Sequence, residues 1–286
     1  MNIAQALSST PISTLDLGRY VEISPDTTLA DAVVAMRDDQ RSCACITSDR
    51  ELVGVFTQRD VLHRVIGRPD NWSIPVGDLI QGPLRTLNNT QTLSDAIETM
   101  NRWWIRNLPV LSEGGEFVGN MSFWTVMNTI TNLLSSRMEE STAGPAVRDG
   151  LEFVDFTGIN INPPVTFPAD ESLEVAVHHL RNRGLVQIMV VDGREHLVGN
   201  LTEFDLLTKV GCEVADISTV PLSQVMETNH RAIAVRSSVS DALQALTDAR
   251  ASTVPLLSET QRPAGVASFW DIISYLESSL DALTPA

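Results

Sequence analysis

Gly54-Val55-Phe56-Thr57-Gln58-Arg59-Asp60 decides the reading, because the chain returns to it three times. Gly119-Asn120-Met121-Ser122-Phe123-Trp124-Thr125 keeps the glycine and the hydroxyl but ends in Thr. Gly199-Asn200-Leu201-Thr202-Glu203-Phe204-Asp205 and Gly265-Val266-Ala267-Ser268-Phe269-Trp270-Asp271 keep all three marked positions. Apolar residues such as Leu52-Val53 and Leu197-Val198 lead into the glycine and read as a strand. An amphipathic run follows the hydroxyl, which predicts a helix starting there. The Thr or Ser is then the N-cap. The Asp lies on the first turn, among free backbone N–H groups at the positive end of the helix dipole. A glycine just before lets another group approach the backbone closely.

Two readings of this spacing compete. As a capping box alone it stabilises a helix start by about 1 kcal/mol. As a cleft at a helix N-terminus it offers backbone N–H groups and a hydroxyl to a phosphate, and a carboxylate to two ribose hydroxyls. One copy would favour the first reading. Four copies in one frame, with repeated surroundings, favour the second.

Those surroundings define four repeats. Leu29, Ala32, Val33 and Met36 fall at i, i+3, i+4 and i+7. So do Leu93, Ala96, Ile97 and Met100, then Leu173, Ala176, Val177 and Leu180, then Val239, Ala242, Leu243 and Leu246. Each set predicts a helix with one buried stripe. An extended piece precedes each helix, at 21–23, 84–87, 165–167 and 232–235. An apolar strand follows, at 44–47, 108–111, 188–191 and 254–257. A polar turn then leads to the glycine strand and a second helix. The distance from Gly54 to Gly119 is 65 residues, from Gly119 to Gly199 it is 80, and from Gly199 to Gly265 it is 66. The repeats therefore group as two pairs, at 14–134 and 159–280. The extra residues, 135–158, include Glu139-Glu140-Ser141-Thr142-Ala143-Gly144-Pro145 and read as a linker.

Composition narrows the function classes. The net charge of −16, with nineteen Arg and a single Lys among 20 basic residues, disfavours tracking of a nucleic-acid backbone. Met1 to Leu17 lacks the basic and apolar regions of a signal peptide. No apolar run reaches the ~20 residues of a membrane span, so a cytoplasmic location is expected. Cys43, Cys45 and Cys212 read as small buried apolar residues rather than a metal site, and the five His are scattered. No nucleophile–base pair, metal cluster or phosphate loop stands out, so no enzyme activity and no required cofactor is expected. Trp103 and Trp104 read as packing or interface residues.

The order strand-helix-strand-strand-helix, the Gly-x-x-Thr/Ser-x-x-Asp signature, Leu108-Pro109-Val110 and Val254-Pro255-Leu256 together resemble the cystathionine β-synthase (CBS) domain family. The resemblance runs from about Thr14 to Leu280. It implies an α+β fold of four CBS repeats packed as two Bateman modules. These form a flat disk like that of the γ subunit of AMP-activated protein kinase, either within one chain or as a homodimer. It also implies clefts between repeats that hold adenosine compounds: AMP, ADP or ATP, with S-adenosylmethionine, NAD and cyclic dinucleotides in the same class.

Carried over by position, Thr57 and Asp60 form a first site, Thr202 and Asp205 a third, and Ser268 and Asp271 a fourth. Ser122 has Thr125 where a carboxylate belongs, and a neutral hydroxyl cannot give both ribose bonds charge assistance. Arg106, and Arg41 near the same place in repeat one, would meet phosphate, or would be solvated helix ends. The first module would then suit a phosphorylated nucleotide. The second would prefer a less charged adenosine compound or draw on Arg183 or Arg250. The expected function is a regulatory sensor that passes adenosine-nucleotide occupancy to an unidentified regulated protein. The alternative is a ligand-free scaffold that serves only as an interaction module.

Overall fold

The computed structural model describes residues 3–17, 20–80, 82–140, 161–229, 231–249 and 251–272. Each repeat builds one three-stranded sheet with the same order and sense. In repeat one, Val21–Ile23 runs parallel to Cys43–Ser48, which pairs antiparallel with Glu51–Thr57. Repeat two uses Leu87–Asn88, Asn107–Leu111 and Phe117–Ser122. Repeat three uses Thr166–Pro168, Gln187–Val191 and Leu197–Thr202. Repeat four uses Ile233–Ala234, Thr253–Leu257 and Pro263–Ser268. A parallel pair needs a crossover, and the stripe helix supplies it. The class is α+β, as expected.

The stripe helices are Leu29–Asp38, Leu93–Trp103, Leu173–Arg183 and Val239–Ala249. Every stripe residue named above is buried, none more than 4% exposed. Each helix starts at a hydroxyl. Thr28, Thr92, Ser172 and Ser238 accept the backbone N–H three residues on. The segment after the signature is less uniform. In repeats one and three a single α turn (Gln58–Asp60, Glu203–Asp205) passes into a π turn (Val61–Val65, Leu206–Val210). In repeat two it is the helix Phe123–Glu140. That helix takes up 135–140 of the expected linker, and 141–158 lie outside the described residues.

The stripes do not bury themselves within the sequential pairs, as the repeat spacing suggests. Repeats one and three share one apolar core, which holds Met36, Val61, Leu62, Leu180, Leu206 and Val210. Repeats two and four share another, with Met100, Met127, Ile130, Leu246 and Phe269. Periodicity tells which face of a helix is buried, not what covers it. Arg181 of repeat three strengthens the first join by donating to the Leu62 carbonyl oxygen at 2.9 Å and to that of Ile66.

Sequential repeats meet instead through polar groups of their sheets. Asn120 Nδ2 donates to Cys43 Sγ at 3.4 Å, and Ser42 Oγ donates to Asn107 Oδ1 at 3.2 Å. Thr253 Oγ1 donates to Gln187 Oε1 at 2.7 Å. An N-terminal helix, Ile3–Ser9, has no counterpart in the repeat pattern. Leu7 and Ile12 are buried in the core of repeats two and four. The Leu93 N–H donates to the Thr10 carbonyl at 2.9 Å, and the Ile12 N–H to that of Gln91 at 2.8 Å.

The signature glycines hold these pairs together. A Cβ built on Gly54 would lie 2.9 Å from Ile80, on the segment that connects repeats one and two. On Gly119 it would lie 2.8 Å from Leu17, on the segment that leads into repeat one. The second pair repeats the exchange: a Cβ on Gly199 would meet Met226 of the connecting segment, and one on Gly265 would meet Ile161 of the leading segment. The glycine is thus the seat for an apolar side chain from outside its own repeat. Met226 is unbranched and can yield. Ile161 is β-branched and stiff. Gly265→Ala is therefore expected to destabilise by about 1–3 kcal/mol through overpacking, more than Gly199→Ala. Adding Ile161→Ala should recover part of the loss. Urea unfolding midpoints of the three variants check this.

Candidate ligand-binding site

The three intact signatures fold identically. Asp60 Oδ2 accepts from the Thr57 N–H at 2.8 Å and from Thr57 Oγ1 at 2.6 Å, while the Asp60 N–H donates back to Oγ1 at 3.3 Å. Thr202 with Asp205, and Ser268 with Asp271, repeat these bonds within about 0.1 Å. Each is a full capping box. Thr92 with Asp95 and Ser238 with Asp241 make the same box on stripe helices. The hydrogen-bond pattern therefore does not separate a binding motif from a cap; its surroundings must.

The surroundings differ in three ways. Asp60 and Asp271 keep Oδ1 without a further partner among the described residues. Burial pushes the Asp271 carboxyl above its ordinary range, against the bonds from Ser268. Asp205 instead gives Oδ1 to Lys209 at 3.0 Å. In repeat two, Ser122 Oγ lies 3.2 Å from Thr125 Oγ1, two hydroxyls with no charge between them.

A cavity of ≈ 1570 Å³ is walled by residues of all four repeats. It exceeds the ~300–1000 Å³ of a pocket for one small molecule. The second and third signatures both line it, through Ser122 and Thr125 and through Thr202 and Asp205. Arg41 and Arg106 also line it. Thr57, Asp60, Ser268 and Asp271 do not. The lining includes residues that sequence reasoning passed over: Lys209, Glu227, Arg231 and Glu203. Lys209 could have been singled out as the only lysine of the chain. Nothing in the repeat pattern marks Glu203.

Glu203 is 2% exposed and follows the third signature's hydroxyl. Its Oε2 takes the Arg106 guanidinium of repeat two. Its Oε1 faces Arg59 Nε of repeat one at 3.5 Å. Arg106 also donates to Ser252 Oγ of repeat four at 3.3 Å. Arg106 is thus neither a solvated helix end nor uncommitted: a buried carboxylate holds it in the cavity wall. Arg41 has a buried Nε with no hydrogen-bond partner among the described residues. Arg250 lies outside the described residues.

Cys43 and Cys45 are buried and unpaired as expected, but Cys212 is only half-buried, and Trp103 and Trp104 are exposed. The bond to Cys45 and burial hold the Cys43 thiol well above its usual range. Burial pushes Cys212 to about 11. Neither Cys43 nor Cys212 is primed for thiolate chemistry. Trp104 tilts against Trp270 at 5.6 Å and so joins repeats two and four. No group of side chains among the described residues has metal-ligand geometry. No helix there is long and apolar enough to cross a membrane.

The family model described as "CBS domain" matches residues 16–67, 76–131, 157–211 and 222–278. The chain belongs to the CBS domain family. It is 23% identical over 305 residues to the CBS domain-containing protein CBSCBSPB3 of Arabidopsis thaliana, covering 95% of this chain and 54% of that one. The CBS chain thus spans about half the length of that relative. It is 30% identical over 120 residues to an inosine-5'-monophosphate dehydrogenase of Korarchaeum cryptofilum, a match that covers only 24% of the dehydrogenase. Among solved structures it is similar to a Methanocaldococcus jannaschii protein suggested to be an archaeal homologue of g-AMPK. The TM-score is 0.75 at 16% identity, over 92% of this chain and 98% of that one. Four CBS repeats in one chain and a fold like that neighbour's agree with the architecture described above.

Removal of the Glu203 carboxylate alone should be costly, because it leaves the largely covered Arg106 guanidinium without its anion. Glu203→Ala is expected to destabilise by about 3–5 kcal/mol, whereas Glu203→Met with Arg106→Met should lose much less. Urea unfolding of the single and double variants tests this. Equal losses would mean that packing, not charge, is at stake.

Proposed function

We propose that this CBS chain is a regulatory sensor that binds adenosine nucleotides of the AMP, ADP and ATP class in its inter-repeat clefts and passes occupancy to a protein partner. The observation that supports it best is the spare carboxylate oxygen. In Asp60 and Asp271 one oxygen holds the cap and the other has no partner among the described residues. A cap needs one oxygen. A ribose diol, with two donors, suits the other. Arg41, Arg106 and Lys209 supply cations for phosphate in the wall of the cavity that the second and third signatures line. Transmission would follow from the packing. The cavity is walled by all four repeats, so a ligand that fits one arrangement of them better shifts the population toward it. The modules proposed for this are 14–134 and 159–280. In the scaffold alternative the boxes are caps and nothing binds.

A thermal-shift series with AMP, ADP, ATP, NAD and S-adenosylmethionine separates the two readings. Ligand at 100-fold its dissociation constant should add about 2.7 kcal/mol, and a flat response to all five supports the scaffold. Asp60→Ala should weaken adenosine binding at the first site, since a charge-assisted hydrogen bond is worth roughly 1.5–3 kcal/mol. It should leave the binding of adenine, which has no ribose, nearly unchanged. Equal loss for both would make Asp60 a pocket-shaping residue instead.

The second cleft carries its own expectation. The Thr125 hydroxyl cannot take the place of a carboxylate toward two ribose donors. Titration calorimetry should count fewer than four nucleotides per chain, and Thr125→Asp should add one. Four in the wild type would refute the assignment.

A further inference from the structure

The third site differs from the others in one ion pair that no repeat pattern anticipates. Lys209 stands four residues after Asp205, on the π turn that follows the signature. Its Nζ lies 3.0 Å from Asp205 Oδ1 and 3.1 Å from Glu227 Oε2. Asp205 Oδ2 is already taken by the cap. Both oxygens of the third carboxylate are therefore engaged, while Oδ1 of Asp60 and of Asp271 has no partner among the described residues.

Glu227 belongs to the segment that connects repeats three and four. Backbone bonds between Asn200 and Glu227, at 2.7 and 3.0 Å, stitch that segment to the signature strand. Glu227 Oε1 also accepts the Asn229 N–H at 2.8 Å. The second anchor of the lysine is thus fixed independently of Asp205. Repeat one has Arg64 at the corresponding position, exposed and without an ion pair to Asp60. Asp205, Lys209, Glu227 and Arg231 all line the cavity, and Lys209 is about a third exposed there.

We infer that Lys209 occupies the ribose-accepting oxygen of the third site and thereby makes this site select a 5'-phosphorylated nucleoside over the free nucleoside. The inference rests on the nucleotide reading above. A ribose diol that places both hydroxyls on Asp205 Oδ1 must displace the ammonium, because that oxygen accepts only two bonds. Lys209 then keeps one carboxylate, Glu227, and gives up the other. A free nucleoside offers nothing in return. A phosphorylated one brings an anion to the same cavity, which the ammonium can meet from its Glu227 anchor. The first and fourth sites hold no such competitor among the described residues and should discriminate less. At the third site this departs from the expectation that the second module prefers a less charged ligand or draws on Arg183 or Arg250.

Lys209 is also its own reporter, because it is the only lysine among the 286 residues. Lysine-selective carbon-13 labelling at Cε gives one side-chain signal per chain, so the third site can be followed while the others fill. AMP should move this signal saturably, with an affinity at least about tenfold tighter than adenosine read from the same signal. That is the difference expected from one charge-assisted hydrogen bond that AMP makes and adenosine does not. In Lys209→Met, calorimetry should find one site with tighter adenosine and weaker AMP binding than in the wild type. Equal affinities for AMP and adenosine at the lysine signal would overturn the proposal. So would AMP binding, seen by calorimetry, that leaves the signal still. If neither compound produces heat, the nucleotide reading itself fails and the lysine proposal falls with it. The wild-type titrations decide the matter even if the variant does not fold.

Discussion

The buried carboxylate of Glu203 is where the four repeats answer to one another. It lies in repeat three, holds the Arg106 guanidinium of repeat two, faces Arg59 of repeat one and reaches Ser252 of repeat four through Arg106. Two apolar cores, one for repeats one and three and one for repeats two and four, meet across it and across the bonds Asn120–Cys43, Ser42–Asn107 and Thr253–Gln187. Hydrophobic burial is non-directional and fixes no relative setting of two cores. A desolvated ion pair does, because it tolerates only a narrow geometry before an uncompensated charge results. The cavity opens around this pair, so the element that sets the arrangement of repeats is also part of the proposed binding wall.

The signature itself turns out to be less specific than its spacing suggests. The same hydroxyl–carboxylate box starts stripe helices at Thr92 and Ser238, where it is only a cap. Sites are made by what stands around the box. An uncommitted carboxylate oxygen and a nearby cation distinguish one repeat from the next. In repeats one, three and four the box is shared; the surroundings are not.

Much of the fold was legible because it is local. The i, i+3, i+4, i+7 stripes named helices whose buried faces are those of the structure, and the Thr-x-x-Asp spacing named the helix starts. What covers a stripe was not legible. Leu29 and Leu173 share a core although nothing near either residue in the chain refers to the other. The helix Ile3–Ser9 has no second copy among the described residues to reveal it. Glu203 and Lys209 escaped for a related reason: a repeat comparison finds what recurs, and both act by differing from their counterparts Gln58 and Arg64.

The exchanged segments have a consequence for the order in which the chain is made. Ile80 lies 26 residues after Gly54, but Leu17 must wait for Gly119, about a hundred residues later, a non-local pairing of the kind that slows folding. The same asymmetry recurs with Met226 on Gly199 and Ile161 on Gly265. During synthesis the first repeat of each pair can be sealed by the residues that emerge just after it. The leading segment is translated first and seated last. Each pair therefore closes as one event, and only when its second glycine strand has left the ribosome.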